Sequence, residues 1–119
     1  MDNRVQTSQG VLWLSKVGKE EFEQPDLYLE QKMLLAAEGE FLTLKHRFQL
    51  SQGEAIIVSK DAGGTGTFPS YLIVLLQQGQ APQLLSHADF YSETHTIIYS
   101  QKGDVISMDL GLQNGLKKT

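Results

Sequence analysis

The chain of 119 residues carries 14 acidic and 10 basic side chains, a formal net charge of −4, and no cysteine. A chain of this length can form one domain whose core needs neither metal nor disulfide. The lack of cysteine excludes disulfides, thiolate metal sites and a thiol nucleophile. No stretch approaches the roughly 20 apolar residues of a membrane span, and Met1-Asp2-Asn3-Arg4 does not begin a signal peptide. The chain is therefore expected to be cytoplasmic, or a mature fragment from which a targeting segment was removed.

The acidic excess is concentrated in residues 19–40. Only Lys19 and Lys32 offset the carboxylates there, which are Glu20, Glu21, Glu23, Asp26, Glu30, Glu38 and Glu40. Such a surface repels nucleic-acid phosphate and favours a cationic partner. It is also typical of a solvated face that serves only solubility. In both cases the sequence predicts no nucleic-acid binding.

The chain begins with a short strand between polar segments. Residues 1–10 are polar and are predicted to form a loose arm. Val11-Leu12-Trp13-Leu14 is typical of a first strand, in which Trp13, the sole tryptophan, serves as a core or interface anchor. A charged connection follows over residues 18–26.

Residues 27–37 allow two interpretations. Their composition suits a helix that Asp26 caps and Gly39 ends. The apolar positions do not keep one helical face, however, because Glu30 and Gln31 interrupt it. The preferred alternative is a hairpin in which residues 27–29 and 33–35 are strands.

The middle of the chain has the clearest strand patterns. Residues 41–50 alternate and predict a half-buried strand with one face formed by Leu42, Leu44, His46, Phe48 and Leu50. The turn at residues 51–53 leads into residues 55–60, so the two strands form an antiparallel hairpin. Residues 55–58 and 71–76 are continuous apolar runs, which indicate central strands.

The remaining segments are shorter. Residues 82–85 are predicted to form a short edge strand because they start at Pro82. Residues 87–93 are polar and irregular, and residues 94–100 and 105–110 form a hairpin around Gly103. Residues 111–119 are predicted to be a second loose arm.

Together these patterns predict an all-β fold. We expect residues 1–119 to form a single domain, an antiparallel meander of about eight or nine short strands that forms a sandwich or a flattened barrel. The residues expected to lie largely in the core are Ile57, Val58, Leu72, Ile73, Val74, Ile97, Ile98, Ile106 and Met108.

The glycine-rich loop at residues 61–71 is the main candidate site. A phosphate-binding loop needs Gly-x-x-x-x-Gly-Lys-Ser/Thr before a helix, whereas here no lysine follows Gly66 and a strand comes next. The loop is therefore either a long hairpin connection without function or a recognition loop. In the second case the binding residues are Asp61, Gly63, Gly64, Thr65, Thr67, Phe68, Ser70 and Tyr71.

No catalytic or metal site is expected. His87 with Asp89, and Glu93 with His95, have the spacing of zinc ligands on a strand face, but surface or interface histidines explain them more readily. Ser70 has no Gly-x-Ser-x-Gly turn to make it a nucleophile. We therefore expect no cofactor and no enzymatic activity.

The second half of the chain resembles a known type of protein. The resemblance rests on four segments in order, which are Gly63-Gly64-Thr65, residues 69–75, Asp89-Phe90-Tyr91-Ser92 and residues 103–108. They are similar to small bacterial envelope β-sandwich domains of the periplasmic lysozyme-inhibitor kind. Pro69-Ser70-Tyr71 stands where an invertebrate-type lysozyme inhibitor has a Ser-Gly-x-x-Tyr loop.

The resemblance implies a non-enzymatic binding protein of the bacterial periplasm or cell envelope. Such a protein would use the 61–71 loop to recognise a protein, for example a cationic hydrolase that it inhibits, or a cell-wall component. The alternative is a cytoplasmic immunity protein that neutralises a toxin. A monomer and a homodimer are both compatible with the sequence.

Overall fold

The computed structural model describes the backbone of residues 3–15, 25–37, 40–61, 69–91, 98–109, 111–113 and 116–118. Side chains are described within 3–15, 25–37, 40–61, 69–86 and 100–107. Within these ranges there is no helix, and every strand pair is antiparallel. The prediction of an all-β fold is confirmed.

Two four-stranded sheets contain most of the strands, and each follows chain order as an up-and-down meander. The first sheet consists of β1 (Arg4–Thr7), β2 (Gly10–Leu14), β3 (Leu27–Leu29) and β4 (Lys32–Leu35). The second consists of β5 (Phe41–Leu50), β6 (Gly53–Asp61), β7 (Ser70–Gln77) and β8 (Gln83–Tyr91). Residues 27–37 thus form the preferred hairpin, with a two-residue turn at Glu30 and Gln31.

Two further hairpins follow the second sheet. They consist of β9 (Ile98–Lys102) with β10 (Val105–Asp109), and β11 (Gly111–Gln113) with β12 (Leu116–Lys118). The described residues thus form twelve strands instead of eight or nine. The additional strands lie mainly at 4–7 and 111–118, where loose arms were expected, and β8 extends through part of the segment predicted to be irregular.

The two four-stranded sheets pack face to face around one apolar cluster. Leucines of β2 and β3 meet alternate residues of the second sheet, which are Leu42, Leu44, Ile56, Val58, Leu72, Val74 and Leu76. Among the described strands no pairing joins the two sheets, so the arrangement is a sandwich and not a closed barrel.

A second apolar cluster covers the opposite face of the second sheet. It is built from Phe48, Ala55, Ile57 and Tyr71, with Leu50, Ile73, Leu75 and Ile106 packed against it. Both faces of β6 are therefore buried, which is why residues 55–58 form an uninterrupted apolar run.

Most of the predicted core residues that the structure describes are buried. Ile57, Val58, Leu72 and Val74 are at most 4% exposed, whereas Ile73 and Ile106 are only partly buried. Residue 97 and the side chains of residues 98 and 108 lie outside the described part of the chain.

A β-bulge in β5 overturns the predicted single face of that strand. The prediction placed Leu42, Leu44, His46, Phe48 and Leu50 together. In the structure Leu44 pairs with Val58 and His46 pairs with Ile57, which leaves Lys45 without a partner in the ladder. The extra residue reverses the alternation. The two leucines before the bulge therefore belong to the cluster between the sheets, and the apolar residues after it belong to the outer cluster.

A buried carboxylate joins the turn between β1 and β2 to the second sheet. Glu54 is 3% exposed and accepts hydrogen bonds from the Ser8 backbone N–H at 3.0 Å and the Ser8 hydroxyl at 2.9 Å. The Arg47 guanidinium lies 3.5 Å from the same carboxylate. Because buried carboxylates require such partners, this contact fixes the position of the turn and of the start of β2.

Candidate binding site on the first sheet

Four side chains lie side by side across the outer face of the first sheet. Arg4 pairs with Trp13, Trp13 with Tyr28, and Tyr28 with Met33, one residue from each strand. Arg4 is exposed, the two aromatic residues are partly buried, and Met33 is 45% exposed. The opposite face of the same strands packs into the core, so the twofold alternation of the strands produces this row.

The two aromatic rings of the row stack on one another. The ring centroids of Trp13 and Tyr28 are 4.9 Å apart with an interplanar angle of 21°. This separation matches the distance of about 4.8 Å between neighbouring strands, so Tyr28 covers one face of the indole. The other face is directed toward the β1 side of the sheet, where Arg4 lies.

The backbone and side chain of Glu30 hold the indole in place. The Trp13 Nε1–H donates a hydrogen bond of 2.8 Å to the Glu30 carbonyl oxygen. The Glu30 N–H donates to the Val11 carbonyl oxygen, and Glu30 Oε1 accepts from the Val11 N–H, both at 2.8 Å. These contacts hold Glu30 at a φ of 52°, a conformation that costs free energy for a residue other than glycine.

Gly10 provides the space that Glu30 occupies. A Cβ atom at Gly10 would lie 2.5 Å from both Glu30 Cγ and Glu30 Oε1, and Gly10 itself has a φ of 118°. Both the close approach and the positive φ require glycine at this position. A larger residue at position 10 would therefore displace Glu30 and, with it, the carbonyl oxygen that holds the Trp13 indole.

A groove of about 740 Å³ runs along the free side of Trp13. At one end it is bounded by Val11 and the turn at Glu30. At the other end it is bounded by Ser15. The Ser15 N–H donates to the Asp26 carbonyl oxygen, and the Ser15 hydroxyl oxygen accepts from the Asp26 N–H, both at 2.9 Å. Neutral polar side chains, which are Asn3, Ser15 and Gln31, lie around the indole together with the charged Arg4 and Glu30. The volume is within the usual range for small-molecule sites.

The loop predicted as the recognition element is described only at its base. Asp61, Ser70 and Tyr71 lie in the described part, whereas Gly63, Gly64, Thr65, Thr67 and Phe68 lie outside it. Asp61 and Tyr71 border a cavity of about 250 Å³, which Phe41 and Lys45 also line. Burial, followed by the nearby Asp61 carboxylate, raises the pKa of Tyr71 above its ordinary value.

The acidic residues that the structure describes between positions 25 and 40 all have intramolecular partners. Asp26 accepts a hydrogen bond of 2.8 Å from the Ala37 N–H. Glu30 bonds to Val11 as described above, and Glu40 forms an ion pair of 3.5 Å with Lys60. These three carboxylates therefore have a structural role, because each of them stabilises a turn or a strand end.

The described residues contain no metal site. Glu93, His95 and the side chains of His87 and Asp89 lie outside the described residues. Among the side chains that are described, no three potential ligands from His, Asp and Glu come together to hold a metal ion. Nor does the described structure contain a helix long and apolar enough to cross a membrane.

Sequence reasoning identified Trp13 as an anchor but did not identify the row. The signal was present in two short alternating segments, residues 11–14 and 27–29, in which leucines flank an aromatic residue. Their adjacency depends on the β2–β3 register across a 12-residue connection, because Trp13 pairs with Tyr28. No local pattern specifies that register.

The structure is an all-β sandwich with a groove beside a stacked Trp13–Tyr28 pair on the outer face of one sheet. Comparison of the chain with protein-family models, curated proteins and solved structures gives no match in any of the three.

Proposed function

We propose that this chain is a non-enzymatic binding protein and that the groove beside Trp13 is its principal ligand site. The observation that carries the proposal is the fixed, partly exposed indole. One ring face is stacked on Tyr28, the N–H is bonded to Glu30, and the other face borders an open groove. Rigid aromatic side chains of this kind supply contact area at a low entropy cost on binding.

The row lies outside the core of the sandwich. The core between the sheets is formed by the inner residues of β2 and β3, which are Leu12, Leu14, Leu27 and Leu29. Trp13 and Tyr28 lie on the opposite face, where polar residues would suffice for a solvated sheet.

The cell envelope is part of the proposal. A cell-wall component is one of the two ligand classes that the resemblance implies, and it suits a groove on the face of a sheet. A leader peptide encoded upstream of residue 1 would support this location, whereas a toxin gene beside the coding sequence would favour the cytoplasmic immunity protein.

Co-sedimentation with purified insoluble cell wall tests the proposal. We expect the parent protein to sediment with the wall and Trp13→Ala to remain in the supernatant. Val105→Ala is the matched control, because Val105 is 67% exposed and lies outside the first sheet. Circular dichroism would establish that both variants are folded. Equal sedimentation of the parent and a folded Trp13→Ala variant would contradict the proposal.

A second candidate is recognition of a cationic hydrolase through the 61–71 loop. The observation that favours it is Phe41, which is 46% exposed at the cavity that Asp61 and Tyr71 border at the base of the loop. Exposed aromatic residues beside charged groups are common at protein interfaces.

Shortening the loop tests this second candidate. Replacing residues 64–67 by a two-residue turn should change stability little, because closure entropy depends only logarithmically on loop length. If the candidate is correct, the parent inhibits a cationic lysozyme and the shortened variant does not. Inhibition by both proteins, or by neither, would eliminate the loop as an inhibitory element.

A further inference from the structure

We infer that the ligand of the Trp13 groove is a neutral glycan, with one pyranose ring stacked on the free face of the indole. This inference rests on the proposed function and specifies its ligand class. It is carried by three features of the described residues, which are the single free aromatic face, the polar groups around it and the shape of the groove.

The indole offers one flat apolar face to a ligand. Tyr28 occupies the opposite face at a centroid distance of 4.9 Å, and the Nε1–H is already bonded to the Glu30 carbonyl oxygen. The ring therefore cannot donate its N–H to a ligand and presents only its negative π-face. The axial C–H groups on one side of a pyranose are a weakly positive, apolar surface of matching shape.

The groups beside the indole match the hydroxyls of a sugar. Asn3 and Gln31 each provide a carboxamide that both donates and accepts. Ser15 provides an O–H donor, because its oxygen already accepts from the Asp26 N–H. Arg4 and Glu30 add one charge of each sign, so they contribute no net charge to the groove. A neutral ligand with many donors and acceptors satisfies such a site without burying an unpaired charge.

The groove is long and open enough for more than one sugar ring. It follows β2 from Val11 to Ser15, which are four strand steps of about 3.3 Å each, or about 13 Å in all. Its floor is β2, an inner strand of the first sheet whose main-chain groups pair with β1 and β3. A ligand above β2 must therefore be recognised by side chains, because the main-chain groups of this strand are already paired.

Two other ligand classes fit the same residues less well. Proline-rich peptides insert their rings between separate aromatic side chains, but Trp13 and Tyr28 are in contact and leave no slot between them. Single-stranded nucleic acid also stacks on aromatic rings but needs a positively charged groove. Here Arg4 is balanced by Glu30, and the whole chain has a net charge of −4.

The emission of Trp13 is a direct test, because this is the sole tryptophan of the chain. The full-length protein is titrated with the tetrasaccharides of N-acetylglucosamine, cellulose, starch and mannan, each up to about 10 mM. Decaproline and heparin are titrated in parallel. We expect a saturable change in emission with at least one neutral tetrasaccharide, and none with decaproline or heparin.

Substitutions at the rim then locate the bound sugar. For the tetrasaccharide that binds, Gln31→Ala should raise Kd by about threefold to tenfold, the equivalent of one lost hydrogen bond. Gln78→Ala is the matched control, since Gln78 is also an exposed glutamine in a turn, the one between β7 and β8. Both variants keep Trp13, so the same emission change reports on them. An equal Kd for the two variants would overturn the inference.

The remaining outcomes separate the ligand class from the proposed function. If Trp13 is required for sedimentation with cell wall but no saccharide changes its emission, the glycan assignment fails and the binding function stands. Saturation by decaproline or by heparin alone would overturn the glycan assignment in favour of a peptide or a polyanion. If sedimentation does not depend on Trp13 and no ligand changes the emission, both proposals fail.

Discussion

Deletion of Lys45 tests the register of β5 with a single change. Lys45 is the extra residue of the bulge, because Leu44 pairs with Val58 and the next ladder pair is His46 with Ile57. Without Lys45 those two pairs become consecutive, and every other side chain of β5 keeps the face that it has now. We therefore expect the free energy of unfolding to change by no more than about 1 kcal/mol, as for an exposed position away from the core.

Deletion of Thr43 is the matched control. Thr43 lies between Leu42 and Leu44, which are 3% and 2% exposed and both point into the sandwich. Without Thr43 the two leucines are adjacent, so in a regular strand one of them must leave the core. Exposing a fully buried leucine costs about 1.5–3 kcal/mol, and the cavity left behind adds to this loss.

Urea unfolding of the two deletion variants, followed by circular dichroism, measures both free energies. The structure predicts that the Lys45 deletion is the more stable of the two by at least about 1.5 kcal/mol. If β5 alternated strictly and had no bulge, the two deletions would lower the free energy of unfolding by similar amounts. Each deletion would then move the side chains of about half of the strand to the opposite face. Equal losses, or a larger loss for the Lys45 deletion, would show that the bulge is not at this position.

Three further outcomes follow from individual contacts. Hydrogen bonds from the Ser51 hydroxyl and N–H lower the pKa of Asp104. Their stabilising effect is thus present above the ordinary carboxyl pKa of about 4 and lost as pH falls through the lowered folded value. The protection factor of the Ser51 N–H against hydrogen exchange should therefore fall in acid, and a protection factor with no more acid dependence than in Asp104→Asn would contradict this. Burial raises the pKa of Tyr71, so its contribution to stability is complete below about pH 10 and is lost as pH rises through the higher folded value. In an ultraviolet titration, the ionisation that the parent shows and Tyr71→Phe lacks should therefore be centred above about pH 10. A difference between the two titrations centred at or below that pH would refute the assignment. Ile56 has no exposed surface, so Ile56→Ala should lower the free energy of unfolding in urea by about 2–5 kcal/mol. Val105→Ala is the control and should change this free energy by less than about 0.5 kcal/mol. Similar losses for the two variants would place Ile56 outside the core.

Local sequence patterns were sufficient for the fold class and for many of the strands. The apolar runs at residues 55–58 and 71–76 predicted the two central strands, β6 and β7, and the interrupted helical face at residues 27–37 favoured the hairpin that is observed. These patterns reflect side-chain periodicity and backbone preference, which act over a few residues.

Short polar strands were harder to predict. β1 carries a charged and an amide side chain on its exposed face, so its composition predicts a loose arm and not a strand. It is held by pairing with β2 and by the contact between Ser8 and Glu54, which are 46 residues apart. Its stability therefore comes from tertiary contacts and not from its own composition.

The candidate loop could be identified from local sequence, whereas the groove could not. Glycine, proline and hydroxyl residues made the 61–71 loop conspicuous in the sequence, whereas the groove depends on residues from separate segments. Trp13 and Glu30 were each noted, the first as an anchor and the second as an acidic residue of a charged stretch. Their hydrogen bond and the space over Gly10 emerge only when β2 and β3 pair.

Alternation and turn residues act locally, so the antiparallel β class can be predicted from the sequence alone. The strand register, and with it the choice of which faces are buried, depends on tertiary contacts. One extra residue at Lys45 changes the face of half a strand, and one specific pairing places Trp13 beside Tyr28. Because the side-chain period of a strand is two, a shift of one residue exchanges core and surface. The energy that selects the correct register comes from packing between segments that are distant in the chain.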